Sequence, residues 1–245
     1  RYNRFSVDGV PITDNFGLNT DGLPSRRSPI PLDAIGQFQA KVAPYDVREG
    51  NFQGGAINII LKSGTNEFHG TGFYSQSTDG LQGDRIGSNV LALADYKSET
   101  YGVTFSGPII KDKLFFLVSA ERNTDPRPLG TASLAQIPGY NAATLQQVIA
   151  GANTPRYGNF NTGEFVSIND QKDEKIVGKI DWNITDGQRL SLSYINAAES
   201  STVNSNASQN TATPALGLSS NGYQRSVLVR AGIAQLNSDW TDRFH

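Results

Sequence analysis

The feature that most constrains this chain is an alternation of apolar and polar residues, which begins near Glu67 and recurs in segments of roughly ten residues. The clearest segment is 175–184. One of its faces carries Ile176, Gly178, Ile180, Trp182 and Ile184, and the other carries Lys175, Val177, Lys179, Asp181 and Asn183. A period of two is that of a β-strand whose two faces meet different surroundings. This part of the chain is therefore predicted to be all-β.

Six such strands can be located, and some of them are joined closely. The Asp186-Gly187 step between the fourth and fifth strands is a strong hairpin signal, because glycine adopts a positive φ without steric cost. The sequence predicts strands at 68–77, 100–106, 114–122, 175–184, 189–198 and 223–236, and one short helix at 142–150.

The connections between these strands alternate in length. Short turns are predicted at 107–113 and 185–188, and long loops at 79–97, 124–172 and 200–222. If the strands run up and down, all short turns lie at one end of the sheet and all long loops at the other, which is typical of an outer-membrane β-barrel. A soluble β-sandwich also alternates apolar and polar residues, but nothing in its architecture sorts loops by length. The barrel is the favoured interpretation.

Residues 1–66 have shorter strands, separated by Pro and Gly clusters. Strands are predicted at 5–10, 37–42 and 56–62, and the last is so apolar that burial on both faces is expected. This part is predicted to be a small compact domain that ends near 63–66. A membrane-spanning helix is not expected anywhere, because every apolar run is far shorter than the roughly 20 residues that such a helix needs.

Composition and charge exclude several classes of function. The chain has 21 basic and 23 acidic residues, a balance that gives no reason to expect a nucleic-acid partner. It has no cysteine, and its histidines, His69 and His245, stand far apart with no acidic cluster at metal-ligand spacing. No nucleophile elbow, phosphate-binding glycine loop or dinucleotide motif occurs. We therefore expect neither an enzyme nor a metal or other cofactor.

A Pro-rich loop in the N-terminal domain carries two adjacent arginines, Arg26 and Arg27. Guanidinium groups bind carboxylate or phosphate bidentately, so this pair could hold an anionic ligand. The alternative, which is the more common fate of an exposed arginine, is a solvated loop or one that contacts the wall of a barrel.

Several motifs of the N-terminal domain resemble those of one family. The segments 30–42 (IPLDAIGQFQAKV) and 45–60 (YDVREGNFQGGAINII) resemble the plug of TonB-dependent outer-membrane receptors. The segment 7–12 (VDGVPI) looks like an earlier plug strand with its Asp-Gly-Val-Pro turn. The segment 62–70 (KSGTNEFHG) resembles the junction of plug and barrel in the Oar-like branch of that family.

The resemblance implies an all-β fold class, with a small plug domain followed by antiparallel strands of a large transmembrane β-barrel of about 22 strands, of which this chain holds a part. Residues 1–66 then belong to the plug, and residues 67–245 supply the first six barrel strands with long extracellular loops. The implied location is the bacterial outer membrane, in contact with lipid and lipopolysaccharide. The implied partners are a TonB-type inner-membrane energy complex and the remainder of the barrel, and the energy-coupling segment is expected outside this sequence.

The leading functional hypothesis is active uptake of a scarce, bulky solute, with the plug gating the barrel lumen. A structural or adhesive surface protein that displays loops and imports nothing is the alternative, and a soluble binding module is the third possibility. The solute cannot be identified, because one architecture serves many cargoes. Plug strands enter from the periplasmic end, so the segment 12–31 is expected to rise toward the extracellular side. The predicted ligand-binding residues are Asp14, Asn15, Arg26 and Arg27.

Overall fold

The computed structural model describes residues 3–14, 22–42, 54–83, 85–90, 95–129, 139–204, 207–208, 215 and 217–240. These residues form two main sheets, one of four strands and one of six, which we call the N-terminal sheet and the six-stranded sheet. Within the described ranges, no helix combines the length and the hydropathy needed to cross a membrane.

The N-terminal sheet is built from β1 (Arg4–Val7), β2 (Val10–Pro11), β3 (Ile35–Val42) and β4 (Gly55–Leu61), in the order β2-β1-β4-β3. Strands β1 and β4 are parallel, and the other pairs are antiparallel. The prediction of one strand over 5–10 was wrong at its centre, because Asp8 and Gly9 have φ values of 46° and 82° and form a two-residue hairpin turn. Strand β4 is central, and each of its faces has buried and half-buried residues, so the expected burial on both faces is met only in part.

The strands that follow are, in chain order, β5 (His69–Thr78), β6 (Arg85–Ile86), β7 (Asn89–Val90), β8 (Lys97–Ile110), β9 (Leu114–Thr124), β10 (Arg127–Pro128), β11 (Phe165–Val166), β12 (Ile168–Asn169), β13 (Gln171–Thr185), β14 (Gln188–Val203), β15 (Gly217–Leu218) and β16 (Tyr223–Ser238). The six long ones form the six-stranded sheet in the order β5-β8-β9-β13-β14-β16, and all neighbours are antiparallel. All six predicted strands are confirmed, and most of them extend beyond their predicted ends.

Because consecutive strands run in opposite directions, their connections alternate between the two ends of the sheet. The turns at 111–113 and 186–187 share the short-turn end, and the longer connections share the opposite, long-loop end. The predicted sorting of loops is therefore confirmed. The first turn was predicted too long, since Pro108 lies within β8. Strand β5 pairs with β8 only as far as Ser106, so the proline leaves no bond unmade on that side, and a register shift follows it.

Short elements occupy the long-loop end. Strand β6 pairs with β7, β10 with β12, and β11 with β15. Helix α1 (Ala142–Ala152) begins where the side chain of Asn141 accepts a hydrogen bond from the N–H of Thr144, a capping bond that stabilises a helix start. The predicted helix is thus present, slightly longer than expected, and none of its residues is buried.

The two faces of the six-stranded sheet differ as the alternation predicted. On the outer face, which points away from the N-terminal sheet, Ile176, Ile180 and Trp182 are 49, 41 and 45% exposed. On the inner face, Lys179 and Asp181 are buried. The N-terminal sheet covers the middle of the inner face and leaves the outer face open.

The hydrophobic core lies between the two sheets. Phe5, Val7, Ile59 and Leu61 of the N-terminal sheet cluster with an apolar patch on the six-stranded sheet that consists of Leu117, Val177, Ile195 and Ile233. Val177 and Ile195 are paired across β13 and β14 and are completely buried, and burying such a side chain contributes about 1.5–3 kcal/mol. Val177 lies between Lys175 and Lys179 on its face of β13, and Ile195 lies between Ser193 and the small Ala197 on its face of β14. The structure explains Val177 and Ile195 as the surface on which the N-terminal sheet docks.

Candidate functional site

Polar side chains join the two sheets around this core. Arg27 makes the contact nearest the long-loop end: its Nη1 donates to Oδ1 of Asn123 at 2.7 Å, and its Nη2 forms an ion pair with Oδ2 of Asp125. Asn123 lies in β9, and Asp125 follows the end of that strand. The same Asp125 oxygen is 2.6 Å from Nη2 of Arg127. Two guanidinium groups therefore share one carboxylate, and the group of three side chains carries a net positive charge.

Local bonds fix the loop that presents these arginines. The Oγ of Ser25 donates to the carbonyl oxygen of Arg27 at 2.6 Å, and the side chains of Pro29 and Pro31 are fully buried. Proline restricts φ, so the two buried prolines restrict the conformation of the loop backbone. The backbone N–H of Arg26 consequently donates to Oε2 of Glu199 on β14 at 3.0 Å, while Arg26 itself remains exposed.

A buried ion cluster lies beside this loop. The Nζ of Lys175 donates to Oε1 of Glu121 at 2.8 Å and forms an ion pair with Oδ2 of Asp173 at 2.9 Å. All three side chains are less than a tenth exposed. The second carboxylate oxygen of Glu121 accepts from the backbone N–H of Leu32 at 3.0 Å. The cluster thus connects the backbone before β3 to strands β9 and β13. No group of three or more carboxylate or imidazole side chains that could hold a metal ion occurs among the described residues.

Farther from the long-loop end, Asp8 connects three elements. Its Oδ1 accepts from the N–H of Leu61 at the end of β4, 3.0 Å away, and its Oδ2 is 3.2 Å from Nζ of Lys179 on β13. A cleft of about 400 Å³ lies next to this pair, between the two sheets. Its lining includes Asp181 and Arg189, which form an ion pair at 3.3 Å. The contact at Asp8 is therefore a polar one that lies beside an open cleft.

The segment between the two sheets is held at the short-turn end. Asn66 and Asp112 exchange two hydrogen bonds: Nδ2 of Asn66 donates to Oδ1 of Asp112, and the N–H of Asp112 donates to Oδ1 of Asn66 at 2.8 Å. A Cβ on Gly64 would lie 2.6 Å from the carbonyl oxygen of Phe116, so only glycine fits there. The predicted boundary at 63–66 falls within this segment, and the division into two domains remains a prediction.

The structure brings together two of the four predicted ligand-binding residues. Arg26 and Arg27 lie side by side at the long-loop end, which is where a rising 12–31 segment would carry them. Asp14 is buried, and its N–H donates to the carbonyl oxygen of Gly22 at 3.1 Å. Asn15 lies outside the described residues. Arg27 contacts the six-stranded sheet, as the wall-contact alternative states, and its role in ligand binding remains a prediction.

Sequence reasoning did not identify most partners in this interface, namely Glu121, Asn123, Asp125, Asp173 and Glu199. A signal existed for three of them. Glu199 stands in step with the inward-facing Ile195 of β14. Glu121 and Asn123 occupy alternate positions of β9 in step with the inward-facing Leu117, so the alternation could have placed them inside. Asp173 was missed because β13 begins before the predicted start of that strand.

Comparison with known proteins gives a family model and several relatives. The model of an outer membrane beta barrel domain matches residues 60–141. The chain is 33% identical over 126 residues to the TonB-dependent transporter Oar of Myxococcus xanthus, a match that covers 46% of this chain and 11% of the relative. It is 32% identical over 127 residues to the probable TonB-dependent siderophore receptor PirA of Acinetobacter baumannii, which covers 48% of this chain and 15% of the relative. The chain therefore spans only a small part of either relative's length.

A solved structure adds the fold. The outer membrane transporter YddB of Escherichia coli superposes with a TM-score of 0.52 at 14% sequence identity, covering 83% of this chain and 26% of that protein. At this identity the likeness shows the fold alone. The family model begins at the end of β4.

Proposed function

We propose that this chain, which is part of a TonB-dependent receptor of the bacterial outer membrane, serves the active import of a bulky solute through a plugged β-barrel. Residues 1–66 act as the plug, and residues 67–245 supply the first six barrel strands. The outer face of the six-stranded sheet contacts lipid and lipopolysaccharide, and the N-terminal sheet fills part of the lumen. A TonB-type inner-membrane complex supplies the energy, and further strands close the barrel.

The observation that carries this proposal is the kind of contact that joins the two sheets. A small apolar patch has polar contacts on both sides, toward the long-loop end and away from it. The main ion pairs are Arg27 with Asp125 on the first side and Asp8 with Lys179 on the second. A hydrogen bond adds only about 0.5–1.5 kcal/mol net when water can replace the partner. In a water-filled lumen such contacts hold a plug in one position and still permit it to leave. Gating then consists of breaking these polar contacts and exposing the apolar patch.

The proposed ligand-binding residues remain Asp14, Asn15, Arg26 and Arg27, at the extracellular side of the plug. The exposed Arg26 and the positive group formed by Arg27, Asp125 and Arg127 favour an anionic cargo. An anion that takes the place of Asp125 as the partner of Arg27 also removes a contact between plug and barrel. Capture of the cargo is thereby coupled to loosening of the plug.

Equilibrium binding to the full-length receptor tests this site. Replacing Arg27 by Ala should weaken binding of an anionic cargo by about 1.5–3 kcal/mol for each charge-assisted bond lost, and replacing it by Lys should restore binding only in part. The loss should shrink at high salt. If Arg26→Ala and Arg27→Ala both bind like the parent and fold normally, the capture site lies elsewhere, in the long loops.

Cysteine labelling in living cells tests plug movement without knowledge of the cargo. This chain has no cysteine, and Ser25 is only 4% exposed whereas its neighbour Arg26 is exposed. In a receptor with a single reactive cysteine, a membrane-impermeant maleimide should label Ser25→Cys in energised cells and not after a protonophore is added. The matched control, Arg26→Cys, should be labelled in both states. Equal labelling of Ser25→Cys with and without the protonophore would favour the alternative, a structural or adhesive surface protein that imports nothing.

A further inference from the structure

The outer face of the six-stranded sheet has a crevice at Ala120. This residue stands in one row between Val103 of β8 and Ile176 of β13. Val103 and Ile176 are large and exposed, and they rise on both sides of the small alanine side chain. The result is an open, mainly apolar crevice of about 220 Å³. On a face that contacts lipid, a crevice of this kind accommodates hydrocarbon, because an apolar cavity offers water no hydrogen-bond partners.

A charged rim borders the crevice on the side of the long loops. The next row consists of Tyr101, Arg122 and Glu174, all of which line the crevice. Arg122 and Glu174 are linked through Nε and Oε1 at 3.3 Å, and both side chains are about half exposed. An exposed ion pair contributes only about 0–1 kcal/mol, so an anion can compete for the arginine. The exposed Lys172 stands one row farther toward the long loops, diagonal to Arg122.

We propose that this crevice binds lipid A, the phosphorylated membrane anchor of lipopolysaccharide. One acyl chain lies along the row of Val103, Ala120 and Ile176, and a phosphate group binds the guanidinium of Arg122, with Lys172 adding positive charge. The long loops of such barrels are extracellular, which places the rim at the outer leaflet, where lipopolysaccharide is found. Within the crevice, Val103, Ala120 and Ile176 lie toward the bilayer centre, and Arg122 and Lys172 lie toward the surface, which is the order of chain and phosphate in the lipid. Arg230 lies level with Ala120, but on β16, two strands beyond Ile176. Arginine suits this role because its planar fork binds phosphate bidentately.

The test uses native mass spectrometry of the full-length, delipidated receptor in detergent, with bisphosphorylated lipid A as the probe. Arg122→Gln should reduce the bound fraction about five- to tenfold, since it removes the charged fork. Ala120→Leu should reduce it by filling the crevice, and Glu174→Gln should raise it by removing the carboxylate that competes with the phosphate. The matched control is Arg230→Gln. Arg230 is exposed on the same face and donates from Nε to Asn196 at 3.2 Å, and its loss should leave lipid A binding unchanged.

Two results would overturn the proposal. One is parent-like binding of lipid A by both Arg122→Gln and Ala120→Leu. The other is equal binding of dephosphorylated lipid A or of phosphatidylglycerol, because the crevice would then hold any surrounding lipid. Gel mobility of the folded and heat-denatured forms verifies that each variant is folded. The measurement requires no solute, so its failure leaves the import proposal intact.

Discussion

Replacing Lys175 by Met tests the buried ion cluster on the inner face of the six-stranded sheet. Met has a similar length and no charge, so Glu121 and Asp173 lose their shared cation while their side chains stay only 9 and 5% exposed. Removing one partner of a buried ion pair costs about 3–5 kcal/mol, because the remaining charge is left uncompensated. Two carboxylates depend on this lysine, so we expect the upper part of that range, a loss of about 4–5 kcal/mol in the free energy of unfolding.

A triple variant separates charge from packing. In Lys175→Met combined with Glu121→Gln and Asp173→Asn, no buried charge remains, and the amide introduced in place of the Glu121 carboxylate keeps a carbonyl oxygen for the N–H of Leu32. The triple variant removes the uncompensated charges but leaves the two introduced amides with fewer hydrogen-bond partners, so we expect it to recover most of the loss and to unfold within about 1–2 kcal/mol of the parent. The control is Lys172→Met, on the exposed face of the same strand, with an expected change within about 0.5 kcal/mol.

Denaturant titration of the full-length receptor in detergent, followed by tryptophan fluorescence, measures these free energies. The reasoning is refuted if Lys175→Met loses less than about 1 kcal/mol, or if the triple variant is as unstable as the single one. Either outcome would mean that water or relaxation of the interface already satisfies the carboxylates without the lysine.

Three further predictions concern lipid contact, turn geometry and the junction. Ile180→Lys should reduce the free energy of unfolding by about 2–4 kcal/mol in the same titration, because the outer face contacts lipid in the proposed barrel, whereas Asn183→Lys on the inner face should be mild; equal effects would contradict the alternation. Gly187→Ala should lower the free energy of unfolding by about 1–3 kcal/mol, because the φ of Gly187 is 125° and a Cβ there would lie 3.0 Å from the carbonyl oxygen of Asp239. An unchanged free energy of unfolding would argue against this hairpin. Gly64→Ala should loosen the junction and speed limited proteolysis at 63–66, and a digestion pattern like the parent's would show that the close approach is not needed.

The six strands could be predicted because the two faces of the six-stranded sheet have different surroundings, which imposes an alternation that survives in the sequence. The alternation is lost where the strands continue beyond the region in which their outer face is apolar. The first four residues of β13, at 171–174, are Gln, Lys, Asp and Glu, with no apolar residue to mark a face. Pro108 was also assigned to a turn, although it lies near a strand end where one side has no partner.

The interface was predictable only in part. Arg27 stood out in the sequence as a charged residue in a Pro-rich loop, but its partner Asp125 lies 98 positions away in a connection without periodicity. Asp8 was read as part of a strand, and its contact with Lys179 spans 171 positions. Such pairs depend on how one sheet docks on another. The two apolar exceptions, Val177 and Ile195, were visible as breaks in the alternation, and their meaning emerged only when the second sheet was in place.

The apolar patch between the sheets bears on the biogenesis of a receptor of this kind. Val177 and Ile195 would face water in an open sheet that had lost its N-terminal partner, and an exposed apolar surface on unclosed strands promotes aggregation. The residues of the N-terminal sheet that cover this patch, within 5–61, precede it in the chain. They are therefore synthesised and exported before the strands that they shelter. We therefore expect the N-terminal sheet to act as an intramolecular chaperone for the first strands of the six-stranded sheet.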